Sequence, residues 1–222
     1  MLLAVDTSTA QVGLALYDGA QVLGEMTWTT RQHHTTELAP ALAGLLARSG
    51  NTMESVNALG VAIGPGSFTS LRVGLAFVKG LALARHIPIV GIPTLDIIAA
   101  AQPIGKHPLI TVIQAGRTRV AFNLYKSLKK EWQVEGELRS GTVDELVAQI
   151  ESPTFVAGEF STEERVRLSK KHKNIILASP ANSVRRPAIL AELAWARVQH
   201  DDVDEAASLA PIYLHVAGAP PA

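Results

Sequence analysis

Apolar and polar positions change their period many times along the chain, and each change marks an element. Leu2-Leu3-Ala4-Val5 is an unbroken apolar run ending on Asp6-Thr7-Ser8-Thr9, which predicts a buried strand over 2–6. Strands at 11–17 and 20–28 follow, separated by turns near Ala10 and at Asp18-Gly19. From Thr35 to Arg48, Leu38, Ala41, Leu42, Leu45 and Leu46 recur at helical spacing. The other side of that helix carries Ala39, Ala43, Gly44 and Ala47, and Pro40 falls early enough to be tolerated. A short buried strand over 59–63 runs into Gly64-Pro65-Gly66-Ser67, a sharp turn. The helix that follows, 68–84, is apolar nearly all round, with Arg72 and Lys79 as its main charges and Gly74, Ala76 and Gly80 allowing close backbone approach. A strand over 87–92 and a short helix from Pro93-Thr94 to Ala101 complete the series.

Residues 102–108 are rich in Pro and Gly and read as a connection, after which the order begins again. Strands are predicted over 109–115, 119–126 and 132–138, then a helix over 142–150 opened by Thr142-Val143-Asp144-Glu145, a capping-box pattern. A strand over 154–157 ending at Gly158, a charged helix over 162–171, a strand over 174–177 and a helix over 187–199 follow. The tail 218–222 reads as disordered. Strand, strand, strand, helix, strand, helix therefore occurs twice, with no residue-level repeat. The pattern implies an α/β protein of two related halves, 1–101 and 109–217, each with a mixed sheet flanked by helices.

Composition narrows the chemistry. The absence of cysteine excludes disulfides, thiolate metal sites and cysteine nucleophiles, and suits a cytoplasmic protein. No basic n-region precedes the first apolar run, and no segment approaches the ~20 apolar residues of a membrane span. With 20 basic and 20 acidic residues, the chain gains little from global attraction to nucleic acid, so service to an RNA would run through a partner or a local patch.

The candidate sites each have a bland alternative. Asp6, Thr7 and Ser8 between two strands form a loop that suits a phosphate, or a hydrated divalent ion through the acid; an ordinary hairpin turn uses the same residues. Gly64, Gly66, Ser67 and Thr69 at a strand-to-helix turn suit an anion or simply cap the helix, and match neither a Walker A loop nor a dinucleotide fingerprint. His33-His34 are adjacent and so poorly placed to share a metal. Ser67, His34 and Asp6 could form a hydrolytic triad, but no nucleophile elbow is present. Arg165, Arg167, Lys170, Lys171 and Lys173 read as a solvated helix face, with a tRNA-facing patch as the alternative.

Three segments together resemble one family. Leu3-Ala4-Val5-Asp6-Thr7-Ser8, the turn-helix from Gly64 to Gly74 and Val90-Gly91-Ile92-Pro93-Thr94-Leu95 are similar to the TsaB (YeaZ) family. The likeness covers the first hundred residues. The second half matches in length, layout and the closing Pro211-Ile212-Tyr213-Leu214, with His215 where the family often has Arg. The resemblance implies an actin-like, Hsp70-like ATPase fold, related to ribonuclease H. It implies a non-catalytic, cytoplasmic subunit that binds and supports the larger paralogue TsaD in forming N6-threonylcarbamoyladenosine at tRNA position 37. TsaE would add ATPase activity, tRNA would be met indirectly, and the chain would form a homodimer without TsaD. No cofactor is expected on the isolated chain; ATP or ADP with Mg would belong to an interface of the complex.

TsaD holds its metal with a His-x-x-x-His pair that, aligned on Gly91, falls on Thr94 and Ile98 here, and isoleucine has no lone pair to give. The second half offers Gly158 where an adenosine site would want a Gly-Gly turn. The resemblance puts the subunit interface on the two helices, with Leu38, Leu42, Leu71, Arg72, Gly74, Leu75 and Val78 as candidates. The bland alternative is that both helices only cover their own sheet. The competing function is a self-sufficient ATPase or glycoprotease-type peptidase using Asp6.

Overall fold

A computed structural model describes residues 1–30, 33–116, 118–171 and 173–214. The predicted tail over 218–222 and His215 lie outside the described residues. The chain forms two compact units, Met1–Ile97 with Arg185–Ile212, and Ile98–Val184 with the described Tyr213 and Leu214.

The first unit is built on β1 (Leu2–Asp6), β2 (Gln11–Tyr17), β3 (Val22–Thr29), β4 (Ala58–Gly64) and β5 (Ile89–Pro93), in the order β3-β2-β1-β4-β5. β1, β2 and β3 run antiparallel, while β4 and β5 lie parallel to β1. Every residue of β1 is buried, because it sits mid-sheet with both faces covered. On one face lie α1 (His34–Arg48) and α2 (Phe68–Arg85), whose Leu38, Leu42, Leu45, Leu75 and Val78 join Leu3, Val5 and Leu14 in one core. On the other lies α6 (Pro187–Val198), whose Leu190, Ala191 and Ala194 meet Leu2, Ala4 and Ala15.

The second unit repeats the plan with β6 (Leu109–Gln114), β7 (Val120–Leu128), β8 (Glu131–Gly141), β9 (Thr154–Gly158) and β10 (Ile175–Leu177). Its order, β8-β7-β6-β9-β10, is that of the first sheet, again with three antiparallel strands followed by parallel ones. α4 (Val143–Val147) and α5 (Thr162–Lys171) stand where α1 and α2 stand in the chain order of the first copy. α3 (Thr94–Ala100) carries the boundary between the units.

Several boundaries differ from expectation, each for a local reason. β3 begins at Val22 rather than at 20, because the Asp18 carboxylate accepts from the N–H groups of Ala20 and Gln21 at 2.8 and 2.7 Å and holds them in the turn. β5 begins at Ile89 rather than at 87, because His86 takes a left-handed conformation (φ 55°) and Ile87 N–H closes back on Ala82 O. α4 ends at Val147 rather than at 150, where bonds from Gln149 N to Leu146 O and from Ile150 N to Val147 O tighten the chain.

The compact units also differ from halves at 1–101 and 109–217. α6 packs on the first sheet, so closely that a β-carbon on Gly60 would meet Ala194 Cβ at 2.8 Å. The chain after α6 then runs beside β5. Asp204 N donates to Ile89 O (2.9 Å), Gly91 N to Asp204 Oδ2 (2.7 Å), and Ile212 N to Ile63 O on β4 (2.7 Å). This segment meets the edge strand β5 through one isolated bridge, Ile89 to Asp204, and then reaches the end of β4. Residues 102–108 are more than a connection: Gln102 is buried, donating to Ile98 O and Asn182 O while its own carbonyl accepts from the Trp132 indole.

Candidate functional site

β1 delivers Asp6 to the carboxyl end of the first sheet, at the start of the tight loop into β2. Asp6 is 2% exposed and its carboxylate is not open to a ligand. Arg185, 1% exposed, reaches it with Nε at 2.7 Å from Oδ2. The same guanidinium donates through Nη2 to Thr9 Oγ1 (3.0 Å) and Gln11 O (3.1 Å). The other carboxylate oxygen accepts from Ser8 N–H at 2.8 Å.

The remaining loop groups are also engaged within the unit. Thr7 Oγ1 donates to Ser70 O (2.7 Å), tying the loop to α2. Ser8 Oγ pairs with Thr94 Oγ1 (2.8 Å), which accepts from Gly64 N (3.1 Å). Ser8 O accepts from Ser67 N at 2.7 Å. A β-carbon on Gly66 would collide with Ser8 O, and one on Gly74 with the Thr7 hydroxyl. Those two glycines let the start of α2 press onto the loop. Ser67 caps α2, accepting from Ser70 N and Ser70 Oγ, and Thr69 faces solvent. The residues predicted at Asp6–Ser8 and at Gly64–Ser67 do converge, but onto one another.

The sequence expectation of a phosphate and a hydrated cation at this loop meets a different occupant: a guanidinium donor holds the position. The residues present do not fit Mg with a nucleotide phosphate. Nothing in the sequence pattern distinguished Arg185; an arginine next to a second one, Arg186, before a helix looks like a surface charge.

The other candidates separate. Ser67 bonds within its own helix turn, His34 Nε2 lies 3.1 Å from Thr9 O, and Asp6 is held by Arg185, so no triad forms. His34 is buried, while His33 is largely exposed. Thr94 and Ile98 are buried. Gly158 has a positive φ (134°) and a β-carbon there would collide with Val112 O, so packing between β9 and β6 already requires it. In the basic run, Arg165 donates to Ala178 O and Arg167 pairs with Asp144 at 2.7 Å; the Lys170 and Lys171 side chains lie outside the described residues.

Most of the expected interface residues are not on the surface of the first unit. Leu38, Leu42, Leu71, Gly74, Leu75 and Val78 are buried inside the first unit, because they form the sheet-facing stripes of α1 and α2; of the set only Arg72 is exposed. The outward stripes are different. On α2 they carry Phe68 (50% exposed), Arg72, Ala76, Gly80 and Leu83 (66% exposed), with the Arg72 guanidinium 3.8 Å from the Phe68 ring centre. On α1 the exposed positions include Ala39, Pro40, Ala43 and Ala47. Added β-carbons at Gly44 and Gly80 would meet nothing within 4 Å.

Two copies of the same mixed sheet, with the acid loop at the carboxyl end of the first, define a protein of the actin-like ATPase fold. Residues 21–210 match the family described as TsaD: tRNA N6-adenosine threonylcarbamoyltransferase, and the chain belongs to that family. Within it the likeness is to TsaB and YeaZ proteins. The chain is 36% identical over 94 residues to the tRNA threonylcarbamoyladenosine biosynthesis protein TsaB of Escherichia coli, covering 42% of this chain and 40% of that protein. It is 33% identical over 128 residues to TsaB of Bacillus subtilis, covering 56% and 55%. YeaZ from Pseudomonas aeruginosa has the same fold, with a TM-score of 0.78 and 24% identity over 96% of this chain and 99% of that one. The matched stretches span between 40% and 60% of the curated TsaB relatives. Among the described residues no helix is long and apolar enough to cross a membrane.

Proposed function

We propose that this chain serves the formation of N6-threonylcarbamoyladenosine at tRNA position 37 as a non-catalytic, cytoplasmic subunit that binds and supports a TsaD-type transferase. Family membership and the names of the TsaB relatives support the pathway. One observation carries the supporting role. Gly44 and Gly80 sit mid-helix at positions where the unit itself has no use for a missing side chain. A glycine there costs about 0.5–1 kcal/mol against alanine, so the flat faces serve something outside the unit. Flanked by Ala39, Ala43, Ala47, Ala76 and Leu83, they suit close packing against two helices of a partner. The partner of this reading is TsaD, and the same faces form a homodimer in its absence. A TsaE-type ATPase joins the assembly elsewhere. ATP or ADP with Mg falls to surfaces of the complex, because Asp6 is already held.

Size-exclusion with light scattering on the chain mixed with TsaD tests the surface. Gly80→Arg and Ala43→Arg should lose the complex while melting near the parent temperature. Full complex with both variants places docking elsewhere. Mg-dependent ATP turnover by the chain alone, lost in Asp6→Asn, would instead favour the self-sufficient enzyme. Steep salt-dependent tRNA binding without a partner would favour the patch around Arg165 and Arg167.

A further inference from the structure

We infer that Arg185 is a tethered counter-ion occupying the cation position of the Asp6 loop, and that it masks a divalent-cation site which its removal would open. The inference goes beyond the subunit role and does not depend on it, since it rests on the first unit alone.

Hard oxygens are among the groups that Arg185 touches. They include the Asp6 carboxylate at 2.7 Å, the Thr9 hydroxyl at 3.0 Å and the Gln11 carbonyl at 3.1 Å, with Gln11 Oε1 3.4 Å from the Arg185 backbone N–H. One carboxylate, a hydroxyl and carbonyls are the ligand types that Mg²⁺ and Ca²⁺ take, completed by water. Here a guanidinium satisfies them with several donors in a fixed fork. Both charged groups are almost fully shielded from solvent, with side-chain exposures of 0% and 3%.

Displacement by an outside cation is therefore unfavourable twice over. The incoming ion must shed water, and the outgoing guanidinium must either find new acceptors or stay buried without its carboxylate. Arg185 cannot drift far, because Arg186 is paired with Glu25, and Glu25 also accepts from Ala188 N at the start of α6. The anchor that places α6 against β3 also keeps Arg185 in the loop. The expected consequence is a first unit indifferent to Mg²⁺ and to Mg-nucleotide, through occupation rather than through loss of the acid.

The test is thermal unfolding of the full chain with and without millimolar Mg²⁺, Ca²⁺ or Mg-ATP, on the parent, Arg185→Ala, Arg185→Lys, and Asp6→Asn with Arg185→Ala. The parent melting temperature should not move with any of the three. Arg185→Ala should melt lower without metal and regain about 3–6 °C with Mg²⁺ or Ca²⁺. The double variant should regain nothing, which ties the response to Asp6. If Arg185→Ala does not fold, Arg185→Lys carries the test. One ammonium can keep the carboxylate but not also Thr9 and Gln11, so this variant should fold and show a smaller response. An Asp6-dependent shift of the parent with Mg²⁺ or Mg-ATP overturns the inference. So does a metal response in the arginine variants that is no larger than that of the parent. Neither result bears on the subunit role, which is read by complex formation.

Discussion

The two units carry one strand order with very different helices. α1 and α2 have 15 and 18 residues, while α4 and α5 have 5 and 10. The first central strand ends on Asp6 and its counterpart on Gln114. The sheet survives such erosion because its ladder and buried central strand fix the topology whatever covers the faces. Helix length and loop chemistry are free to follow use. In the second unit, α4 holds itself with a capping box between Thr142 and Glu145, and α5 turns a charged face to solvent. In the first, the helices are long and apolar on the inside, and outside they carry small residues beside Phe68, Arg72 and Leu83. Small residues recur along α1 and α2, while α4 and α5 contain no alanine or glycine.

The largest test of the contrast is at the loops. Arg185→Ala should destabilise the chain by about 3–5 kcal/mol, because it leaves a buried carboxylate without its partner. Gln114→Ala removes one bond from a neutral amide to a half-exposed carboxylate, from Gln114 Nε2 to Glu164 Oε2, and should cost about 1.5 kcal/mol. Urea titration of both variants measures the difference. Equal costs would mean that the first loop is no more committed than the second.

Inside α2 the same contrast appears between neighbours. Gly74→Ala drives a methyl into Thr7, whose hydroxyl is fixed on Ser70 O, and should cost about 1–3 kcal/mol. Gly80→Ala enters open space and should stabilise the isolated chain by about 0.5–1 kcal/mol. A variant that stabilises the chain while weakening the proposed complex with TsaD would separate a face used in folding from one used for a partner. Equal destabilisation by both substitutions would remove the argument for an outward surface.

How far the sequence reveals this depends on the kind of signal. The repeated order of elements was legible because β1, α1 and α2 carry unambiguous periods and turn residues, such as Asp18-Gly19 and the Gly64–Ser67 stretch. The acid loop was legible as a loop, since Asp6, Thr7 and Ser8 break an apolar run. Its closure was not, because Arg185 is 179 residues away and nothing local sets it apart from Arg186. The burial of most of the expected interface residues was hidden for a related reason. Leu38, Leu75 and Val78 look adhesive in a list, but the largest apolar residues of an amphipathic helix face its own sheet. The outward faces are marked by smallness, and alanine and glycine are quiet in any hydropathy pattern. The assignment of α6 to the first sheet was hidden because its small, apolar sequence would suit either unit.

The smallest effect concerns how α1 is held, and it is read in pH. Unlike α4, α1 has no side-chain N-cap; its first turn is tied from outside, by the Trp28 indole N–H donating to Glu37 Oε2 at 2.8 Å. That bond, helped by the Thr30 hydroxyl, holds the Glu37 carboxyl below the ordinary glutamate range. A depressed value in the folded state stabilises the chain above the unfolded glutamate value, and the stabilisation is lost as pH falls through the folded one. Trp28→Phe keeps the ring and removes the donor. The variant should melt slightly below the parent at neutral pH, and the two curves should converge as acid protonates Glu37. A gap that stays constant down to low pH would assign the effect to ring packing, and α1 would then be anchored by its buried stripe alone.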